Sequence, residues 1–305
     1  MLEDLKIGRR YDGFLFLAEA ARNPPVLKLH HHAELELNLV ARGSITYVCD
    51  GRRFTFGQRM LLWMFPRQEH QLVDRSDDAQ YYVAVFKPGL IRLAARGPGY
   101  EGLRRKSPGV DGVLSAMLDA EAFDLIRRTM GLALQDGIDP DVLNREAGFG
   151  VGSDFTFEHG DPDALNAALR HLLLLCWRYQ RGRAGSGASA ELHSAVRQAL
   201  EFLGKGQWDE DLALLARRCG VSDAYLSRMF ARQVGVPLSR YRNSVRLGRF
   251  LELRRAGGGR TITELVYEAG FGSYAQFYKI FKQAYGEGPR EGLRTAGKHG
   301  KLGGG

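Results

Sequence analysis

Three histidines and one glutamate lie at spacings that suit the binding of a metal ion or a polar ligand. His30, His32 and Glu36 fall in the run HHHAELELNLVARG, and His70 follows Pro66 further along the chain. Alternate residues of a β-strand point to the same face, so the side chains of His30, His32 and Glu36 are expected to converge. With His70 from a neighbouring strand they provide three imidazoles and one carboxylate, a ligand set that binds divalent metal ions.

Short strands are the elements that would position these side chains. Between residues 26 and 86 the sequence consists of apolar, aromatic-rich runs broken by turns, and Asp50-Gly51 is a strong hairpin signal. Many short strands at even spacing are typical of a small barrel or jelly roll. Trp63 and Tyr82 lie in two of these runs and would give the pocket an apolar body if they face inward.

Two helical segments follow the strands. Residues 110–134 and 162–180 have helical character, and Asp161 before Pro162 is a typical N-terminal helix signal. The second segment carries an almost wholly apolar face, which predicts either packing against the barrel or a dimer interface. The intervening stretch 137–160 is ambiguous and supports no prediction.

The C-terminal third contains an internal repeat. Residues 215–235 and 265–286 each contain a short apolar-periodic helix, a glycine at a tight turn, a serine cap and a longer helix, which is the layout of a helix-turn-helix. A helix of about eighteen residues, ~27 Å long, is predicted between the repeats. With the flanking helices it would place two recognition helices about one DNA turn, ~34 Å, apart.

The longer helix of each repeat has an apolar face and a polar face. The apolar positions recur every three or four residues and predict core packing, whereas Ala224, Ser227 and Arg228, with Ala275 and Lys279 in the second repeat, point outward. A surface Arg or Lys is often only a solubilising charge, but on a recognition helix it can donate to O6 and N7 of guanine. Phosphate contacts are expected from cationic residues of the middle and last helices, namely Arg240, Arg242, Arg246, Arg249 and Lys282.

Residues 193–295 resemble the AraC/XylS-type transcriptional regulators. The resemblance lies in LARRCGVSDAYLSRMFARQVGVPLSRYRNSVRLGRFLEL and in TITELVYEAGFGSYAQFYKIFKQAYGEGPREGLR. It implies two helix-turn-helix subdomains that bind adjacent segments of the DNA major groove. Carried over position by position, the base-reading residues are Ala224, Ser227, Arg228, Tyr274, Ala275 and Lys279. Because alanine is too small for hydrogen-bond readout, Arg228 and Lys279 are expected to carry most of the direct readout.

The N-terminal histidine motif resembles that of the cupin barrel, which is the sensor that the AraC resemblance leads us to expect there. Gln68 departs from the pattern, since many cupins have glycine at this place. In regulators of this type the pocket often binds a small organic effector without metal, and its histidines and glutamate only line the mouth. Two kinds of ligand therefore remain as alternatives. One is an organic effector, with no cofactor required, and the other is a divalent metal ion bound by His30, His32, Glu36 and His70.

Composition and charge limit the classes of protein to consider. The chain has 305 residues, of which 44% are hydrophobic, and a formal net charge of +8. Residues 1–190 contain 24 basic and 24 acidic residues, whereas residues 191–305 contain 19 and 11, so the whole net charge lies in the C-terminal third. A basic domain of this kind favours a polyanion as partner. No membrane span or secretion signal is expected, and three well-separated cysteines fit a reduced cytoplasm.

These observations predict a multi-domain, cytoplasmic transcription regulator. We expect an all-β cupin (jelly-roll) sensor over residues 1–100, a helical connector or dimerisation region over 101–180, a flexible linker over 181–190, an all-α double helix-turn-helix domain over 191–296 and a disordered tail over 297–305. The expected partners are double-stranded DNA, a small-molecule effector, RNA polymerase and a second copy of the chain. The alternatives are an oxygenase-like metallo-cupin enzyme fused to a DNA-binding domain, and a structural adaptor.

Overall fold

Antiparallel strands form the N-terminal part of the protein. The computed structural model describes residues 5, 7–20, 30–110, 112–135, 159–181, 185–186, 189–204, 211–255, 258–285 and 288–290. The strands are β1 (Gly13–Glu19), β2 (Leu35–Arg42), β3 (Ser44–Cys49), β4 (Arg52–Gly57), β5 (Met60–Met64), β6 (His70–Arg75), β7 (Gln80–Phe86), β8 (Leu114–Met117), β9 (Gly185–Ser186) and β10 (Ser189–Glu191). The predicted tail 297–305 lies outside the described residues, as does the stretch 137–160 except for its last two residues.

The strands make two sheets that pack face to face. One sheet has six strands in the order β1-β7-β2-β5-β8-β9, and the other has four in the order β10-β4-β3-β6. Asp50 and Gly51 have φ angles of 48° and 76°, as a two-residue hairpin between β3 and β4 requires, and Cys49 pairs with Arg52. The predicted all-β N-terminal domain is therefore confirmed.

Helices cover the outer face of the six-stranded sheet. They are α1 (Pro88–Ala94), a 3₁₀ turn (Glu101–Arg104), α2 (Ala120–Ala133) and α3 (Pro162–Gln180). The Asp161 side chain caps α3 by accepting a hydrogen bond from the backbone N–H of Ala164. The apolar face of α3, including Leu169 and Leu172, is fully buried in the same core as the sheet. Of the two roles predicted for this face, the structure gives it packing against the barrel.

The prediction of helix over residues 110–134 is wrong for its first part. Residues 114–117 form β8, which pairs with β5 from Met60↔Met117 to Trp63↔Leu114. The helix starts only after Asp119, whose side chain accepts from the backbone N–H of Ala122. Four apolar and small residues carry no reliable period, so the open edge of β5 decides their conformation.

The C-terminal part is helical and confirms the double helix-turn-helix. Its helices are α4 (Ser194–Gly204), α5 (Leu212–Arg218), α6 (Asp223–Val234), α7 (Leu238–Arg255), α8 (Ile262–Glu268) and α9 (Tyr274–Tyr285). Gly220 and Gly270 take the left-handed conformation at the two turns, with φ angles of 71° and 85°. Ser222 caps α6 by accepting from the N–H of Tyr225, and Ser273 accepts from the N–H of Gln276.

Each helix-turn-helix has its own apolar core. Leu226, Phe230 and Val234 of α6 are buried in the first core. Phe277 and Phe281 of α9 are buried in the second, where the Phe277 ring lies 4.4 Å from that of Phe250 in α7. Helix α7 contributes residues to both cores and so connects the two subdomains.

The segment predicted as a flexible linker pairs with both sheets where the structure describes it. β9 pairs with β8, and β10 pairs with β4 from Ser189↔Phe54 to Glu191↔Arg52. Small residues such as those of RGRAGSGASA lack a hydrophobic period, but their backbone groups can still complete an open sheet edge. The sequence pattern did not predict these two short strands.

Candidate functional site

The candidate ligand site lies between the two sheets. On β2, Glu36 and Asn38 face the four-stranded sheet, since the Tyr47 hydroxyl of β3 lies 3.5 Å from Oδ1 of Asn38. Leu35, Leu37 and Leu39 of the same strand alternate with them and point to the helices. The alternation predicted from the sequence therefore gives this strand one polar inner side and one apolar outer side.

The structure brings His30, His32, Glu36 and His70 together at one end of this space. His30 is half-buried, whereas His32 and His70 are buried, at 2% and 1% exposure. The three imidazoles offer ligand nitrogens that all lie within 4.8 Å of one another. A backbone bridge holds the group, because His30 N–H donates to His70 O at 3.1 Å and His70 N–H donates to His30 O at 2.9 Å.

Backbone carbonyls orient the rings of His32 and His70. Nδ1 of His32 lies 3.1 Å from the carbonyl oxygen of Glu34, and Nδ1 of His70 lies 2.9 Å from that of Gln68. A carbonyl oxygen only accepts, so each Nδ1 is the donor. An Nε2 that hydrogen-bonds a carboxylate must then also carry a proton, whereas an Nε2 that binds a metal ion must have lost it. The two Nε2 atoms lie 3.2 Å and 3.8 Å from the same oxygen, Oε2 of Glu36.

Glu36 is the charged centre of the cluster. Burial opposes its ionisation, but hydrogen bonding to His32 and His70 outweighs burial and holds the pKa of Glu36 well below its ordinary value. Asn38 Nδ2 donates to the other carboxylate oxygen at 2.7 Å. Without a proton on either Nε2, two imidazole lone pairs and a carboxylate oxygen would repel one another, so a cation between them is favourable. A proton on a histidine or a divalent metal ion meets that requirement.

Further polar side chains line the space behind Glu36. Tyr47 and Tyr81 are buried, and burial together with the nearby Glu36 charge raises the pKa of the Tyr47 hydroxyl, which therefore stays a donor. Cys49 Sγ lies 3.8 Å from Met64 Sδ. Sequence reasoning missed Asn38, Tyr47, Cys49, Met64 and Tyr81. The signal available was the two-residue period that places Asn38 on the same face as Glu36.

Trp63 and Tyr82 do not belong to this space. Trp63 pairs with Leu37 and Tyr82 with Leu39, so both lie on the outer side of the six-stranded sheet. The Trp63 ring packs 5.5 Å from that of Trp177 in α3, and the Tyr82 hydroxyl lies beside Gly131 of α2. Their prediction as pocket residues is wrong, because apolar content alone does not distinguish the two faces of a strand that is buried on both sides.

The candidate base-reading residues lie on the outward faces of α6 and α9. Ala224 and Arg228 of α6 are exposed and Ser227 is half-buried. On α9, Ala275 and Lys279 are exposed and Tyr274 is half-buried. The opposite faces fill the two apolar cores. Arg228 and Lys279 therefore occupy equivalent outward positions in the two subdomains.

The candidate phosphate-binding residues differ in exposure. Arg240 at the start of α7 and Lys282 near the end of α9 are exposed. Arg242, Arg246 and Arg249 are half-buried along α7 and interact with other parts of the protein. In the described part of the chain, no helix has the length and apolar character needed to cross a membrane.

Comparisons with known proteins match both parts of the chain. The family profile of the AraC-like ligand binding domain matches residues 16–134, and that of a helix-turn-helix domain matches residues 215–295. No curated protein matches. A solved structure of ToxT from Vibrio cholerae is 12% identical, covers 93% of this chain and 98% of its own, and has a TM-score of 0.33.

Two further solved structures are similar to the chain. The AraC-like transcriptional activator CuxR is 14% identical over 87% of this chain and 83% of its own, with a TM-score of 0.31. The C-terminal domain of AraT, a response regulator from Geobacillus stearothermophilus, is 29% identical over 35% of this chain and 88% of its own, also with a TM-score of 0.31.

Proposed function

Since the chain belongs to the AraC-type transcriptional regulators, we propose that it binds double-stranded DNA through two recognition helices under the control of a ligand held between the sensor sheets. The observation that carries this proposal is the equivalent outward position of Arg228 on α6 and Lys279 on α9. Family and fold point to a DNA-binding regulator rather than to an enzyme. The cytoplasm is its proposed location.

The two recognition helices would read adjacent major-groove segments. Arg228 and Lys279 would donate to guanine O6 and N7, and the methyl groups of Ala224 and Ala275 would contact thymine. Ser227 and Tyr274 would complete the readout with their hydroxyl groups. Sequence-independent affinity would come from phosphate contacts by the cationic residues Arg240, Arg242, Arg246, Arg249 and Lys282.

Selection of DNA by the full chain tests this function. A pool of random duplexes should yield two short sequence blocks about 10 base pairs apart, the spacing of one helical turn. A variant with both Arg228→Ala and Lys279→Ala should lose this enrichment while its circular dichroism spectrum stays unchanged. Enrichment no greater than with a basic control protein would contradict the proposed function.

For the ligand we propose a divalent transition-metal ion bound by His30, His32, Glu36 and His70. The observation in its favour is the convergence of the Nε2 atoms of His32 and His70 on one oxygen of the buried Glu36 carboxylate, while both Nδ1 atoms are directed at backbone carbonyl oxygens. Imidazole and carboxylate together suit Zn²⁺, Ni²⁺, Cu²⁺ and Co²⁺. An organic effector in the space lined by Asn38 and Tyr47 is the second candidate, which the polar lining behind Glu36 supports.

Calorimetric titration of untagged protein with Zn²⁺ and Ni²⁺ distinguishes the two ligands. One ion should bind per chain, and Glu36→Gln or His70→Ala should weaken binding at least about tenfold. His171→Ala is the matched control, since His171 is an exposed histidine of α3. Binding that is equally strong in all variants would contradict the metal site and leave the organic effector.

A homodimer is a further proposal, and it needs a surface other than the buried face of α3. Leu125 and Leu132 of α2 are exposed, at 45% and 63%, and lie seven residues apart on one helical face. Sedimentation equilibrium of the wild type and of a Leu125→Glu variant tests this surface. RNA polymerase is the remaining proposed partner, which transcription assays on the selected DNA would examine.

A further inference from the structure

The four-stranded sheet has a distinct role on each of its two faces. Its inner face carries Tyr47, Cys49 and His70, which line the candidate ligand site. Its outer face carries Val48, Gln71 and Val73. Both valines are buried in the apolar core of the first helix-turn-helix, so this face of the sheet packs against the C-terminal domain. His70 and Gln71 are consecutive residues of β6, so they point to opposite faces of the sheet.

Helices α4 and α7 cover the outer face. Val48 and Val73 share one core with Ala195 and Val196 of α4 and with Tyr241 of α7. The Gln71 side-chain amide donates a hydrogen bond to the Tyr241 hydroxyl, and both residues are fully buried. This hydrogen bond between two buried polar side chains favours one relative position of the two domains, because any other position leaves the amide N–H and the hydroxyl without each other.

Charged groups also lie at the edge of this contact between the sensor sheet and the first helix-turn-helix. A Cβ built on Gly235 would lie 3.2 Å from Nη2 of Arg53 and 3.2 Å from Oδ2 of Asp74. Gly235 is the left-handed cap at the C-terminus of α6, where the Arg53 guanidinium interacts favourably with the helix dipole and the Asp74 carboxylate does not. The sensor sheet therefore contacts the end of the first recognition helix directly.

This contact leaves the DNA-reading faces open. Ala224 and Arg228 remain exposed although the opposite side of their subdomain is docked. Among the described residues, the second helix-turn-helix has a core without any sensor residue. Docking therefore orients the first subdomain and the start of α7, and α7 in turn sets the direction of the second subdomain.

We propose that the outer face of the four-stranded sheet is a regulatory docking surface for the first helix-turn-helix, and that the Gln71–Tyr241 contact couples the ligand site to the relative placement of the two recognition helices. This inference rests on the proposed function. The ligand site would act on DNA binding through three residues: His70 on the inner face of the sheet, Gln71 on its outer face and Tyr241 at the start of α7.

A ligand would act on this path by moving β6. A metal ion held by the cluster would draw toward one point the imidazole nitrogens, which now all lie within 4.8 Å of one another. His70 is held to His30 through two backbone hydrogen bonds, and we expect a pull on the His70 ring to be passed to the backbone of β6. Displacement of β6 changes how Gln71 meets Tyr241, and hence shifts the population between docked and undocked geometries.

A double-mutant cycle on the full chain tests the coupling without any ligand. DNA affinity is measured for the wild type, Glu36→Gln, Tyr241→Phe and the double variant, on the duplex selected by the wild type. Glu36→Gln disturbs the histidine cluster and should change DNA affinity at least ~5-fold, the lower end of typical coupling. In the Tyr241→Phe background the same change should have less than ~2-fold effect.

The matched control is Thr46→Val in β3. It removes the 3.0 Å hydrogen bond between Thr46 and Thr55 within the same sheet, and the effect of Glu36→Gln should persist in its background. Equal effects of Glu36→Gln in the wild-type and Tyr241→Phe backgrounds would overturn the inference. No effect of Glu36→Gln in the wild-type background would overturn it as well.

Hydrogen exchange provides a second measurement that does not need DNA. Tyr241→Phe should raise exchange of the amides in α4 and in the first half of α7, and Thr46→Val should not. Unchanged exchange in α4 and α7 would overturn the docking role. Failure of the wild type to bind any duplex would instead contradict the proposed function, so the two failures are distinguishable.

Zn²⁺ serves as the probe in a parallel experiment. If Zn²⁺ changes the DNA affinity of the wild type by some factor, DNA must change the Zn²⁺ affinity by the same factor. Both changes should disappear in Tyr241→Phe while Zn²⁺ still binds, and their persistence there would overturn the inference. Absence of Zn²⁺ binding would contradict the metal proposal alone, because the double-mutant cycle still decides the coupling.

Discussion

Two backbone carbonyls orient the imidazole rings of His32 and His70. The carbonyl oxygens of Glu34 and Gln68 accept from the Nδ1 atoms, so the Nε2 atoms face Glu36. Histidine spacing in the sequence predicts that the rings converge, and the structure brings them together. The sequence does not reveal which ring nitrogen faces inward, because that depends on the local path of the backbone.

The strongest prediction for single residues concerns Arg228 and Lys279. Arg228→Ala and Lys279→Ala should each cost about 1–3 kcal/mol of binding free energy on the selected duplex and relax specificity at one base pair. Fluorescence anisotropy with matched and mutated duplexes measures both effects. Arg232→Ala is the control, since Arg232 is exposed in the last turn of the same helix. Equal losses on selected and random DNA would identify phosphate contacts instead.

Replacement of Trp63 tests whether this residue belongs to the core and not to the ligand site. Trp63→Leu should destabilise the sensor by about 3 kcal/mol, at the low end of the range for Trp→Ala. Two effects keep the loss small. Leucine fills part of the space, and the change removes an indole N–H that is buried without a hydrogen bond among the described residues. Urea unfolding measures this loss, and Zn²⁺ affinity should stay within about twofold because Trp63 faces α3. Glu36→Gln should give the opposite pattern.

At the level of elements, the capping box of α8 stabilises the second subdomain. The Thr261 side chain accepts from the N–H of Glu264, and the Glu264 carboxylate accepts from the N–H of Thr261. These hydrogen bonds lower the pKa of Glu264 below its ordinary value. Two of the free N–H groups at the start of the helix are thereby satisfied.

Removal of this cap should weaken the second helix-turn-helix. Thr261→Ala should cost about 1 kcal/mol of stability, which hydrogen exchange should detect in α8 and α9 but not in α6. Thr263→Ala is the matched control, because Thr263 is an exposed residue of the same helix. An equal effect of both substitutions would show that the side-chain cap contributes nothing specific.

The sequence predicts the elements that depend on local chemistry and misses those that depend on pairing with distant residues. The repeated turns at Gly220 and Gly270 and the hairpin at Asp50-Gly51 depend on local chemistry, so the sequence predicts them correctly. β8 and the linker strands β9 and β10 depend on pairing with distant edges, namely β5 and β4. No local pattern in LSAM or in RGRAGSGASA encodes a partner that far along the chain. The prediction that Trp63 and Tyr82 line the pocket is wrong for a related reason. Which face of the sheet their side chains occupy depends on packing against α2 and α3.

For the whole molecule, the placement of the net charge predicts how DNA binding depends on salt. The C-terminal third carries all of the +8 net charge, and each phosphate contact releases counterions. Arg240→Ala should therefore weaken binding equally on all sequences and reduce the slope of log K against log[salt] by about 1. Arg92→Ala in α1 is the control, since it removes an exposed charge from the neutral sensor. An unchanged slope for Arg240→Ala would remove that residue from the phosphate contacts.

The sharing of one sheet by two cores has a consequence for the exchange of domains between regulators. A chimaera made by cutting the chain in the segment 181–190 would keep both folds but would replace the partner of Val48, Gln71 and Val73. The foreign helices would meet a surface shaped for Ala195, Val196 and Tyr241. The unit that can be transplanted is therefore the sensor together with its docked first subdomain. The natural boundary for engineering a new specificity lies within α7, ahead of the second recognition helix.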